Sequence, residues 1–284
     1  MKSLKELILE ELGNTNAIQI EAEEYINDNY DIRGQLTFEI VNGVCVVNCD
    51  GDVEVKNKDI EKLTDGFVWG EVMGSFDCFG CHKLEFLEGA PKYVGDDFDC
   101  SQCENLKSLE GASKEVGGSF NCSECAKLES LEGAPEELNG GFYCHVCPNI
   151  ISLEGAPKKV GEKFSCSQCE NLKSLEGAPK EVKLDFDCSY CENLLSIEGA
   201  PEYVGRDFIC NDCINLISLE GAPKEVGGRF DCSYCKKLIS LEGAPEKVGN
   251  DFDCTMCTNL KSLEGAPQNA KEIKCPMRLK NQKI

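Results

Sequence analysis

Residues 230–251 read FDCSYCKKLISLEGAPEKVGND, and close variants of this segment recur without insertion from Phe76 onward. The shared pattern is F-x-C-x-x-C-x-x-L-x-S-L-E-G-A-P-x-x-V-G-x-x. Its phenylalanines fall at Phe76, Phe98, Phe120, Phe142, Phe164, Phe186, Phe208, Phe230 and Phe252, always 22 residues apart. Nine units therefore run from Phe76 to Ile273. Such regular spacing excludes independent beads on variable linkers and calls for a solenoid in which each coil stacks on the one before.

Within a unit the spacing assigns the interior. Phe230 and Cys232 are two residues apart, so they share one face of a short strand. Leu238 and Leu241 turn the chain through the coil, and Glu-Gly-Ala-Pro closes a tight turn, glycine supplying unusual backbone angles and proline a fixed φ. Val248 returns inward before the next strand. One coil cannot bury its apolar edge alone, whereas nine stacked coils can.

The flanks divide the rest of the chain. Residues 1–52 read as an N-terminal capping region, with candidate helices at Met1–Gly13 and Ala22–Asp28 and a hairpin in which Leu36–Val41 and Val44–Asn48 flank Asn42-Gly43, a type I′ turn signal. Residues 53–75, with Val53, Val55, Ile60 and Leu63, read as a degenerate first coil about one residue out of register. Residues 76–273 are the nine repeats. Residues 274–284 carry basic residues and no acids, and read as a C-terminal cap or tail.

Composition narrows the classes of function. The chain of 284 residues carries 51 acidic and 29 basic side chains, a formal charge of -22, and is 41% hydrophobic. That charge disfavours a binder of nucleic-acid backbone, because phosphate would be repelled. No apolar run approaches the roughly 20 residues of a membrane span. Met1–Gly13, with three glutamates, does not read as an export signal. The expectation is a cytoplasmic protein with reduced thiols, no membrane association and no direct nucleic-acid contact.

The 21 cysteines invite a metal reading, since C-x2-C pairs recur with 18 residues between them, the spacing of a four-thiolate zinc site. Three considerations favour a structural ladder. Nine pairs do not divide into two-coil sites; the first cysteine lies beside Phe on the inward edge of a strand, where a thiol packs as a small hydrophobe; and a buried thiol resists becoming the thiolate a metal requires. Cofactor and metal are accordingly expected to be absent. Disulfides between coils are disfavoured because parallel side-chain vectors hold the Cβ atoms near the strand spacing. Cys275, in the tail, is the cysteine expected to be exposed. The glutamate before each Gly-Ala pair, Glu88 through Glu264, is expected to accept hydrogen bonds from turn amides, and the serine two residues earlier to bond within the turn.

V-x-x-x-F-x-C-x-x-C-x-x-L-x-x-L resembles the cysteine-containing leucine-rich repeat, and the SLEGAPKEVGG…FDCS wording is similar to repeat proteins of large bacteriophages and some bacteria. The resemblance covers roughly residues 40–273, including the entry segment NGVCVVNCDGDVEVKNKDIEKLTDGF. It implies a repeat solenoid: a leucine-rich-repeat-like curved stack with a parallel β-sheet on the concave face and an N-terminal α/β cap. It also implies a binding scaffold, in the host cytoplasm if the protein is phage-encoded. In such repeats the second cysteine's position is commonly Asn or Cys, facing inward.

Function should lie where units differ, because repeated positions are explained by packing. On the concave face these are the residue before Phe, the one between Phe and Cys, and the two after Cys. Departures there nominate Phe79, Tyr143, His145, Tyr190, Ile209, Asn211, Asp212, Arg229 and Tyr234 as contacts for a protein partner. No catalytic constellation is expected. His82 and His145 lie almost three units apart, and neighbours on a strand, such as Cys144 and His145, face opposite sides. The leading reading is a non-enzymatic protein-binding scaffold. Zinc or iron–sulfur binding through the Cys-x-x-Cys pairs, and acidic mimicry of nucleic acid, are the alternatives.

Overall fold

The structure is a computed structural model that describes residues 14–281. It is a β-solenoid of about ten stacked turns with little helix. The candidate helix Met1–Gly13 lies outside the described residues. Helix α1 (Asn14–Asn29) includes the expected Ala22–Asp28 and starts earlier. It buries Ala22 and Ile26, with Ile18 and Tyr25 packed beside them, at the spacing that forms one helical stripe.

Strand β1 (Tyr30–Arg33) pairs antiparallel with β4 (Asp52–Val55). Strands β2 (Leu36–Val41) and β3 (Val44–Cys49) form the expected hairpin. Asn42 and Gly43 both have positive φ, 52° and 80°, as a type I′ turn demands. Strand β5 (Phe67–Val72) lies parallel to β3. Val53 then pairs with Phe76, so the coil of residues 53–75 joins the stack directly.

Each of the first eight repeats contributes two strands of only two residues, and the ninth contributes the Phe strand alone. Those that begin with Phe, from Phe76–Asp77 to Phe252–Asp253, are laid parallel and in register in a sheet of 12 strands that also contains β1, β4 and Ile273–Lys274. The strands that end on the inward Val or Leu, such as Lys247–Val248, form a second parallel wall that the repeat pattern does not announce. This second wall is interrupted. Strands β2, β3 and β5 continue through Tyr93–Val94 to Glu115–Val116, and a separate ladder starts at Glu137–Leu138. The residue after the inward Val is a glycine in most coils and differs at the gap. A Cβ there would lie 2.0 Å from the preceding coil's carbonyl oxygen at Gly117 and 2.1 Å at Gly161. Asn139 occupies this position at the break, whereas at Lys183 the ladder survives, with an N–H···O distance of 3.1 Å to Val160.

The interior follows the sequence pattern closely. All nine repeat phenylalanines are fully buried, their rings stacked 4.9–5.7 Å apart. Tyr30 and Trp69 cover the first ring of this column, 6.4 and 6.3 Å from Phe76. Fully burying one such side chain stabilises by about 1.5–3 kcal/mol, so the column is a main source of cohesion between coils. At the other end Leu279 is buried, and Arg278 donates hydrogen bonds to the carbonyls of Cys257 and Thr258.

Candidate functional site

The cysteines form the chemical spine of the stack. All 21 are free, and every one except the partly buried Cys275 is buried. From the second unit onward, the second cysteine donates its S–H to the main-chain carbonyl of the first cysteine one coil back. Eight such bonds, from Cys103 to Cys78 through Cys257 to Cys232, span 3.1–3.4 Å. The ladder gives hydrogen-bond partners to carbonyls that water cannot reach.

A thiol that donates must keep its proton, and the surroundings hold it there. Fifteen of the 18 repeat cysteines have raised pKa values. Burial leads in ten of them, and pushes Cys147 up to about 12. Thiol–thiol hydrogen bonds lead, ahead of burial, in Cys81, Cys103 and Cys232. In Cys78 and Cys213 the thiol–thiol bond pulls downward, and burial with neighbouring charge outweighs it. Among the described residues no group of three or more His, Cys, Asp or Glu side chains is arranged to hold a metal ion.

The residue between Phe and Cys supports the same strand end. Asp99, Asp187 and Asp253 each accept from a main-chain N–H two residues on, at 2.8, 3.1 and 3.0 Å, and from the hydroxyl of that same residue. This is an Asx turn. It consumes most of the aspartate column and buries Ser101, Ser123, Ser189 and Ser233.

Immediately after the turn every coil enters the left-handed region. Gly80 occupies the position in the first unit, with φ 67°. In the other eight units it is held by Gln102, Glu124, Val146, Gln168, Tyr190, Asp212, Tyr234 and Met256, with φ 56–60°. Left-handed backbone costs a residue with a Cβ about 1–2 kcal/mol, and for the branched Val146 it is a true outlier. These side chains project at a corner of the coil, where Val146, Tyr190, Tyr234 and Met256 are 37–49% exposed.

Several of the residues nominated from the sequence converge in the sixth to eighth coils. Ile209 is half-buried and lies between Asp187 and Asp231 in the sheet. The Asn211 amide donates to Asp212 at 2.8 Å. Arg229 pairs with Asp231 at 3.2 Å, while its N–H donates to Asp207. Tyr190 and Tyr234 stand at the left-handed corner on either side of Asp212. Tyr143 and His145 lie in the fourth coil, both half-buried. Burial, with Glu162 nearby, raises the Tyr143 pKa, and burial lowers that of His145. Cys144 is fully buried while His145 is half-exposed, so the two face opposite ways. Phe79, 40% exposed beneath Lys58, stands apart, five coils or about 24 Å from Tyr190 at strand spacing.

The glutamate column differs from expectation. Glu88, Glu110 and their counterparts are exposed. The turn is closed instead by the alanine N–H, which donates to the carbonyl of the Leu or Ile three residues back at 2.9–3.1 Å in every unit. The serine hydroxyl adds to it by accepting from the glutamate N–H, at 3.0 Å for both Ser130 and Ser218. The following glycine has φ 84–103° across the nine units, and a Cβ at Gly111 would lie 2.4 Å from Glu88 N. Two features went unseen in the repeat: the left-handed corner, and a second exposed column at Ile151, Leu195, Ile217 and Ile239. The latter did leave a signal, since the same column is Glu85, Lys107, Glu129, Lys173 and Lys261 in the other units.

Comparison of the chain with protein-family models, with curated proteins and with solved structures returned no match. No described helix is long and apolar enough to cross a membrane.

Proposed function

We propose that this protein is a non-enzymatic binding scaffold of the leucine-rich-repeat type, with the Phe–Cys wall on its concave side, the N-terminal α/β segment as its cap, and a protein as its partner. One observation carries the reading. Eight consecutive coils hold side chains with a Cβ in a strained left-handed conformation at an exposed corner, where Gly80 serves the first coil without strain. Strain retained at positions with no packing duty is a pointer to function. The aromatic and apolar members, Tyr190, Tyr234 and Met256, beside Ile209, Asn211 and Arg229, have the character of contact residues. The aspartates are committed to Asx turns, which favours a scaffold over mimicry of nucleic acid.

The test replaces Tyr190, Tyr234 and Met256 by glycine together. Glycine suits the backbone there, so the variant should fold and any lost binding belongs to the side chains. Partners captured from cells that make the chain, then purified, should bind the triple variant at least about tenfold more weakly, a difference of about 1.4 kcal/mol. Equal binding by both proteins would refute the proposed surface.

A further inference from the structure

The exposed aliphatic column has a different origin from the left-handed corner. Leu195, Ile217 and Ile239 occupy one position on three successive coils and are 52%, 50% and 48% exposed. Main-chain hydrogen bonds hold the column in line, Leu195 N–H donating to Lys173 and Ile217 N–H to Leu195. Lone surface aliphatics are ordinary, but the repeat supplies its own control. Five other units place a charged residue at this position, so the fold makes no demand for an apolar one. Three residues further along each coil stand Glu198, Glu220 and Glu242, also exposed. An aliphatic ridge thus runs beside a row of carboxylates.

We infer that this ridge docks a cationic amphipathic helix of a partner protein, lying along the solenoid axis with its apolar stripe on Leu195, Ile217 and Ile239 and its lysines or arginines over Glu198, Glu220 and Glu242. Spacing selects the helix. Coils repeat at about 4.8 Å, and a helix presents its stripe about every 5.4 Å. The mismatch over the two steps from Leu195 to Ile239 is therefore about 1 Å. An extended strand presents one face about every 6.7 Å and misses by about 4 Å. The carboxylate row fixes the sign of the partner's flank. A second copy of the chain, carrying the same charge of -22, fits poorly.

The experiment titrates the purified protein against three labelled peptides of about 18 residues, long enough to form a helix. One has leucines at helical spacing with lysines on one flank; the second has glutamates for lysines; the third has the lysine composition with its leucines scattered. The ordered lysine peptide should bind at least about tenfold more tightly than either other. Leu195→Ser/Ile217→Ser/Ile239→Ser and Glu198→Gln/Glu220→Gln/Glu242→Gln should each remove that advantage. All six side chains are exposed, and circular dichroism checks that the fold is kept. Equal binding of ordered and scattered peptides overturns the inference, as does equal binding of the glutamate peptide or indifference to the serine variant. A dimer of the wild type that the serine variant abolishes also overturns it, in favour of a second copy. The Tyr190, Tyr234 and Met256 glycine variant should bind the peptide as the wild type does, which separates this surface from the one proposed above.

Discussion

The thiol ladder makes the stability of this protein depend steeply on mild alkali. Each of the 15 thiols with raised pKa stays protonated in the folded chain but titrates freely once unfolded, at about 8.5. A folded pKa above the unfolded one means that the folded state binds more protons. The associated stability is complete below the unfolded pKa and is lost as pH rises through the interval up to the folded pKa, about 12 for Cys147. At pH 7.5 the loss is about 0.06 kcal/mol per thiol, or about 1 kcal/mol for the set. At pH 8.5 it is about 0.4 kcal/mol per thiol, or about 6 kcal/mol in all, comparable with the entire stability of an ordinary domain. Urea unfolding followed by circular dichroism between pH 7.0 and 9.0, with a phosphine reductant to prevent oxidation, measures the effect. Unfolding at pH 8.5 should release about seven protons, read by calorimetry in buffers of different ionisation enthalpy. Stability constant within about 1 kcal/mol from pH 7.5 to 8.5 would refute the claim that these thiols are held neutral by burial.

Further outcomes follow from single side chains. Cys169→Ala strands the buried Cys144 carbonyl and leaves a small void, and should cost about 2–4 kcal/mol in urea unfolding, with Cys169→Ser costing less because a donor remains. Gly111→Ala, at φ 85° and against Glu88 N, should lower stability by at least about 2 kcal/mol. Gln168→Gly, exposed at φ 59°, should instead raise it by about 0.5–1 kcal/mol, once the greater unfolded-state freedom of glycine is subtracted. A thiol reagent added to the native protein should label Cys275 first, the other 20 cysteines reacting only at the rate of unfolding.

Sequence reasoning reached the parts of this fold whose residues repeat because they pack. Phe230, Cys232, Cys235, Leu238, Leu241 and Val248 are all buried as the pattern requires, and the Asn42-Gly43 hairpin has its expected register. The second parallel wall escaped because a two-residue strand has no periodicity of its own; its hydrogen-bond partners lie a whole coil away. The left-handed corner escaped for another reason. Only Gly80 advertises positive φ, while Val146 and Tyr190 adopt it with no glycine to mark the position. The glutamate column recurs as strictly as the core residues, yet the turn is closed by the main chain, Ala90 N–H donating to the Leu87 carbonyl and so on in each unit. The aliphatic ridge is legible in principle, since Ile217 stands where Lys173 and Lys261 stand, but it lies away from the Phe strands and no repeat-wide pattern marks it.

The gap between Val116 and Leu138 has a mechanical consequence. One wall of the stack is laced continuously from β1 to Ile273–Lys274, while the opposite wall loses its strand pairing between Glu115–Val116 and Glu137–Leu138, where the Gly140 N–H still donates to the Gly118 carbonyl at 3.1 Å. A beam built this way has a crease: bending that opens this side works against fewer paired main-chain groups there than between the coils that follow. Phe79 rides on the coils before this crease, while Tyr190, Tyr234 and Ile217 ride together on those after it.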